Sequence, residues 1–128
     1  MTLLNGKITN REPLIAATID KKGDLVLSSK GGEHSFVVDT GFTGDLAVPR
    51  SLLHKMKLKF LSYDKFELAT KRVIDLPVFQ GWVKVKNKRV KVEIIPGDEL
   101  IGMGLLEAVS SKLILDWMKQ EIRLIDKT

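Results

Sequence analysis

Three apolar residues, Phe36-Val37-Val38, run straight into Asp39-Thr40-Gly41. Phe42-Thr43-Gly44 follows, and Leu46-Ala47-Val48 resumes the apolar pattern. The stretch reads as a buried strand ending in a tight turn, with a carboxylate at the strand's mouth and a second buried strand leading away. Carboxylates are almost never buried without a partner, so Asp39 is a functional candidate on placement alone. The plain alternative is a turn residue. Asp, Thr and Gly all favour turns, and the bare tripeptide arises by chance in about one chain in forty of this length. The flanking strands therefore carry the signal, not the tripeptide.

The remaining apolar runs are short and regularly interrupted. Residues 14–19, 25–27, 34–38 and 46–48 read as strands, with a turn at Lys21-Lys22-Gly23-Asp24 and a loop over 28–32. Pro49 suits the first turn of a helix over 50–58, whose Leu52, Leu53 and Met56 share a face for core packing. Residues 66–69 and 73–79 read as strands around Thr70-Lys71-Arg72, and Pro77 marks an edge or a bulge. Residues 82–85 and 90–94 alternate with period two about a turn at Asn87-Lys88. Leu100-Ile101-Gly102 ends a strand and opens a short helix to residue 109. Strands over 112–116 and 121–125 close the chain. The sum is about nine short strands and two short helices, a mostly β chain that closes into a small barrel or sandwich.

Composition narrows the class. A chain of 128 residues is one domain, 1–128, with a core that needs no staples. Hydrophobic residues at 44% and charged residues at 29% mark an ordered globular chain rather than a disordered one. Cysteine is absent, which excludes disulfides and thiolate metal sites and suits a reducing compartment, so a cytoplasmic location is expected. The first residues lack the basic-then-apolar order of a signal peptide. No apolar run reaches the roughly eighteen residues that span a bilayer, so no membrane partner is expected.

The formal net charge is +5, concentrated in Lys84-Val85-Lys86-Asn87-Lys88-Arg89-Val90-Lys91. Lysines alternating with valines read as the solvated face of a hairpin. Aromatics at 6% leave little for base stacking, which argues against nucleic acid. His34 and His54 lie far apart and in no ligand pattern, so no metal is expected. Gly102-Met103-Gly104 lacks the third glycine of a dinucleotide fingerprint, and Ser110-Ser111-Lys112 lacks a Ser-x-x-Lys spacing. No cofactor is expected. Trp82 and Trp117 read as core or interface anchors.

The stretch around Asp39 resembles the active-site loop of the retropepsin-like (clan AA) aspartic proteases, single-domain relatives of pepsin. Phe42-Thr43-Gly44 is similar to the form in small prokaryotic members. An internal echo extends the resemblance to about residues 13–126. Val37-Val38-Asp39-Thr40-Gly41 and Glu99-Leu100-Ile101-Gly102 both end an apolar strand at a glycine and lead towards a short helix. In that family the second element lies beside the catalytic loop.

The resemblance implies a small closed β-barrel of the retropepsin (acid protease) type with one or two short helices. It also implies an aspartic endopeptidase in which Asp39, Thr40 and Gly41 form the catalytic loop. Thr40 would hydrogen-bond across a two-fold axis, and Gly41 would bring its N–H to the carboxylate. Thr43 would stand where a small or hydroxyl residue is common. Ala69 and Thr70 would lie on a flap over the substrate backbone. Many members carry a glycine at the flap tip, where this chain has Thr70-Lys71.

Metal-free peptide hydrolysis needs a water activated by two carboxylates that share a proton. The chain offers one Asp-Thr-Gly. Asp45 reads as a solvated turn residue, and Asp20, Asp24 and Asp75 have no matching context. A homodimer with Asp39 of each subunit at the axis is therefore expected, acting on a peptide or protein substrate. Residues 113–116 and 122–125 are candidate interface strands. Two other readings stay open: a noncatalytic peptide-binding or dimerisation module of the same fold, and a basic β-barrel that binds nucleic acid.

Overall fold

Alternation of apolar and polar side chains gives most of the strands, because successive residues of a strand face opposite sides of the sheet. The computed structural model describes residues 1–127. In chain order the elements are β1 (Thr2–Thr9), β2 (Glu12–Ile19), β3 (Leu25–Ser28), β4 (His34–Val38) and β5 (Leu46–Val48), then the one-turn helix α1 (Arg50–Leu53). There follow β6 (Lys59–Glu67), β7 (Val73–Val85), β8 (Lys88–Pro96), β9 (Leu100–Ile101), α2 (Met103–Val109), β10 (Ser110–Asp116) and β11 (Glu121–Asp126). Strand accounts for 58% of residues and helix for 9%, so the fold is mostly β.

Seven strands close on themselves in the order β2-β3-β7-β8-β5-β9-β4, with β4 pairing back to β2. Closure removes the sheet edges that an open arrangement would expose. Two extensions leave this barrel. β1, β11 and β10 continue the sheet outward from β2, and β6 folds back on the first half of β7 as a hairpin. The barrel interior is filled by Phe36, Ile15, Leu25, Leu46, Ile94 and Ile101, each almost wholly shielded from solvent. Removing the Phe36 ring would cost about 3–5 kcal/mol. No helix is long and apolar enough to cross a membrane among the described residues.

Four differences from the sequence reading have physical causes. First, β1 is not expected from the pattern, because Leu3 and Leu4 are adjacent and break the alternation. Both are buried, and the register of β1 against β11 slips between Thr2 and Leu4. A bulge lets consecutive residues face one core. Second, the helix expected over 50–58 ends at Leu53. The N–H groups of Lys55 and Met56 bond three residues back, and the Lys57 N–H turns away to the Gly23 carbonyl at 3.0 Å.

Third, the strands expected over 73–79 and 82–85 are one strand, β7. Gly81 interrupts the apolar pattern without interrupting the backbone. A Cβ there would come within 2.7 Å of Ile94 and 2.8 Å of Leu58, so glycine is a packing requirement rather than a break. β6 likewise begins at Lys59, well before residue 66. Its register slips between Phe60 and Ser62, so the bulge lies on β6, whereas Pro77 stands in the part of β7 that pairs with β6 alone, a sheet edge.

Fourth, the basic run is not simply a solvated face. Lys84 Nζ lies 2.6 Å from Asp20 Oδ2 and 3.6 Å from Asp24 Oδ2. Arg89 Nε donates to Asp24 Oδ2 at 2.8 Å, with its guanidinium 4.1 Å over the Trp82 ring. Lys88 pairs with Asp126. Asp24 is 2% exposed, and this placement of two cations is what lets an acid sit there.

The Lys84 hydrogen bond holds the Asp20 carboxyl below its ordinary value of 3.8, and the Lys88 hydrogen bond does the same for Asp126. A depressed carboxyl stabilises the fold fully above 3.8, and that contribution disappears as the pH falls through the folded value. Asp20→Asn should therefore lower the urea midpoint at neutral pH. The gap between variant and native chain should narrow as the pH drops below 3.8. A gap unchanged down to about pH 2 would contradict the linkage.

Candidate active site

Asp39 stands where β4 leaves the barrel. β4 pairs antiparallel with β2 and parallel with β9, and the Asp39 N–H donates to the Ile101 carbonyl at 2.9 Å. The backbone at Asp39 is thus the last rung of a ladder, and its half-buried side chain begins the turn. Gly41 closes that turn. Its N–H donates to Asp39 Oδ1 at 2.8 Å, and the Phe42 N–H donates to the Asp39 carbonyl at 3.1 Å. One carboxylate oxygen is therefore held by the backbone. A Cβ at Gly41 would lie 3.1 Å from Asp39 Oδ1, so glycine admits the close approach. Thr40 and Thr43 are exposed.

β9 lies between the two strands that the Asp39 loop joins. It runs parallel to β4 (Val37 opposite Leu100, Val38 opposite Ile101) and antiparallel to β5 (Leu46 opposite Ile101). The chain then turns at Gly102 into α2. The first N–H groups of a helix lack partners within it, and here the Asp39 loop supplies them. Gly102 donates to the Asp45 carbonyl at 3.0 Å, Met103 to Phe42 at 2.8 Å and Gly104 to Gly44 at 3.1 Å. The approach is too close for side chains. A Cβ at Gly102 would meet the Gly44 carbonyl oxygen at 2.1 Å, and one at Gly104 would meet Asp45 Oδ1 at 2.2 Å. Searches with the chain find no matching family model, no matching curated protein and no matching solved structure.

Asp45 is not the solvated turn residue that its sequence context suggests. It is half-buried, its Oδ2 accepts the Glu93 N–H at 2.8 Å, and its carbonyl accepts Gly102. It clamps the loop to β8. Asp39 and Asp45 also face different depressions. Asp45 lines one with Phe42, Asp64, Phe66 and Glu93 under the β6–β7 hairpin. Asp39 and Thr40 line another of about 430 Å³ with Leu100, Leu113, Leu115 and Trp117. Glu12 and Arg11 stand at the rim of the latter.

The hairpin carries Ala69 and Thr70 at its exposed tip, and neither lines the depression that holds Asp39. The missing glycine has a local substitute. Lys71 adopts φ 69°, and its N–H donates to the Leu68 carbonyl at 2.9 Å. A left-handed lysine costs about 1–2 kcal/mol where glycine would cost none. His34 lies 4.0 Å from Glu33 and 3.9 Å from Glu99, on the β4 side of the barrel, and His54 ends α1.

In sequence, Gly102 reads as the end of a strand opening a helix, and Gly102-Met103-Gly104 as an incomplete nucleotide motif, neither of which shows the close packing. Two glycines flanking one residue at a helix start are the available signal for close backbone packing. Gly102→Ala should destabilise the fold by about 1–3 kcal/mol, because the clash is with backbone and cannot be relieved by a rotamer change. Gly97→Ala, whose Cβ would meet only Ala47 at 3.5 Å, should be nearly neutral. Chemical denaturation of the two variants checks the contrast.

Proposed function

We propose that the chain is an aspartic endopeptidase of retropepsin type, working as a homodimer in which Asp39 of each subunit contributes one carboxylate. One observation carries the reading. A carboxylate at the open end of a barrel strand is gripped by the Gly41 N–H, and Leu100-Ile101-Gly102 is wedged between the two arms of its loop. A purely structural turn would not require its acid to stand half-exposed in a depression lined with apolar side chains.

The chemistry follows from pairing two such acids. Like charges about 3 Å apart cannot both be ionised, so the pair holds one proton. The ionised carboxylate takes a proton from a water lying between them, and that water attacks the peptide carbonyl. The protonated carboxyl donates to the carbonyl oxygen, giving a neutral gem-diol. Collapse breaks the C–N bond, with a proton passing to the amine nitrogen. The Gly41 N–H orients each acid, and Thr40 faces the other subunit. An extended substrate reaching from the Asp39 depression to the one beneath the β6–β7 hairpin would meet Phe42, Phe66 and Val78 there.

A noncatalytic peptide-binding module of the same fold is the second reading, favoured by the flap tip. A hairpin end built on a left-handed Lys71 is a different hinge from a glycine turn. The nucleic-acid reading loses support, since Lys84, Lys88 and Arg89 are occupied by Asp20, Asp126 and Asp24.

Digestion of a diverse peptide library from about pH 3.5 to about pH 7.5 tests the reading. Asp39→Asn should cut cleavage by at least about a thousandfold while leaving the fold intact. Glu12→Gln, which removes the other acid of the depression, should stay within about threefold of native. Equal cleavage by Asp39→Asn and native chain would place the activity elsewhere. No cleavage by a folded, dimeric native chain would favour the binding module.

A further inference from the structure

We infer that the dimer forms by antiparallel pairing of β10 with β10 of a second copy, in the register that sets Lys112 opposite Asp116. The inference rests on the homodimer reading above and adds to it the surface, the register and the ion pairs.

β1 and β11 are already paired with each other within one subunit. β1 pairs with β11 from Thr2 to Lys7, and the Asp126 N–H donates to the Met1 carbonyl at 2.8 Å. β10 differs, because among the described residues it has β11 on one side and no strand on the other. Its pairing with β11 slips only between Ser110 and Lys112, so Lys112 to Asp116 form a regular five-residue segment. That free edge has neither proline nor bulge to block a further strand. Leu113 and Leu115 alternate along it on the face that lines the Asp39 depression, and Trp117 follows at 61% exposure.

Symmetry restricts the register. A two-fold axis perpendicular to the sheet keeps each residue on its own face, so paired residue numbers must sum to an even total. Three centres fall on this segment: Leu113, Ile114 and Leu115. Only centring on Ile114 sets Lys112 against Asp116 of the second copy, twice, and also Leu113 against Leu115. The neighbouring registers oppose a charge to Ile114. Opposite-charge and apolar cross-strand pairs both stabilise a ladder. The Asp116 carboxylate is fixed at the strand end, where its Oδ1 accepts the Lys119 N–H at 3.0 Å. Asp39 lines the depression on the Leu113 and Leu115 face, so an axis that preserves faces sets both Asp39 depressions on the same side of the joined sheet. An isologous contact of this kind completes a site that one subunit lacks.

A complementation experiment tests the register. Lys112→Asp and Asp116→Lys should each weaken self-association by at least about tenfold, because each sets like charges opposite one another. Mixing the two variants should restore dimers in sedimentation to near the native level, since the mixed pair has opposite charges at both positions. Independently, Ile114→Cys introduces a lone cysteine at the axis. Its distance to its own copy, about 4.5–5.5 Å between Cα atoms, suits a disulfide. It should oxidise to a covalent dimer faster than Lys30→Cys on the exposed β3–β4 loop.

A native dimer whose charge variants fail to complement, or an Ile114→Cys chain that links no faster than the Lys30→Cys chain, would overturn this interface and leave the shared Asp39 site standing. A native chain that stays monomeric at about 100 µM would overturn both.

Discussion

A contact that only glycine permits holds the candidate site together. At the start of α2 the backbone lies so close to the Asp39 loop that a methyl group at Gly102 would overlap the Gly44 carbonyl. Three N–H groups of that first turn are satisfied by loop carbonyls rather than by water or a capping side chain. The exchange is reciprocal, because the loop gains donors for carbonyls that a tight turn would otherwise leave exposed and the helix gains acceptors for its orphan donors. Asp39 is thereby tied at both ends. Its N–H is held by β9 and its carboxylate by Gly41, and the loop between them is anchored to α2.

The same seam closes the barrel. β9 contributes only Leu100 and Ile101, yet it bridges β4 and β5. Without it the two strands flanking Asp39 would be free edges. Site and closure are therefore one feature, and a change that loosens the seam should act on stability and on carboxylate geometry together. The β6–β7 hairpin is built differently. Phe60, Leu61, Tyr63 and Val73 are exposed on it, and β6 has one neighbour. Few of its side chains are buried against the barrel, the ordinary condition of a locally less stable element.

Much of this is legible in the sequence, and the failures share a cause. The strand over 34–38, the strand over 46–48 and the turn at Asp39 are readable because their alternation and turn residues are local signals. The helix after Gly102 is readable for the same reason. What cannot be read is set by distant partners. The Lys57 N–H leaves α1 for Gly23, and Leu3 beside Leu4 needs a bulge against β11. The basic run gives no sign that Asp20, Asp24 and Asp126 neutralise three of its cations, since those acids lie far away in sequence. Asp45 looks like any turn aspartate until Glu93 and Gly102 are seen to bond to it. Local pattern reveals elements, whereas the atoms that fix a carboxylate arrive from elsewhere.

On the proposed reading, a barrel with a single aspartate of this kind holds half of an acid–base pair, and two chains make one site. Stoichiometry addresses this most directly. A peptide carrying a secondary alcohol in place of the scissile amide mimics the tetrahedral intermediate and should bind tightly between paired carboxylates. Calorimetric titration of the native chain with such a peptide is predicted to saturate at one peptide per two chains, with binding lost in Asp39→Asn. Saturation at one peptide per chain, or unchanged binding by Asp39→Asn, would contradict the shared site.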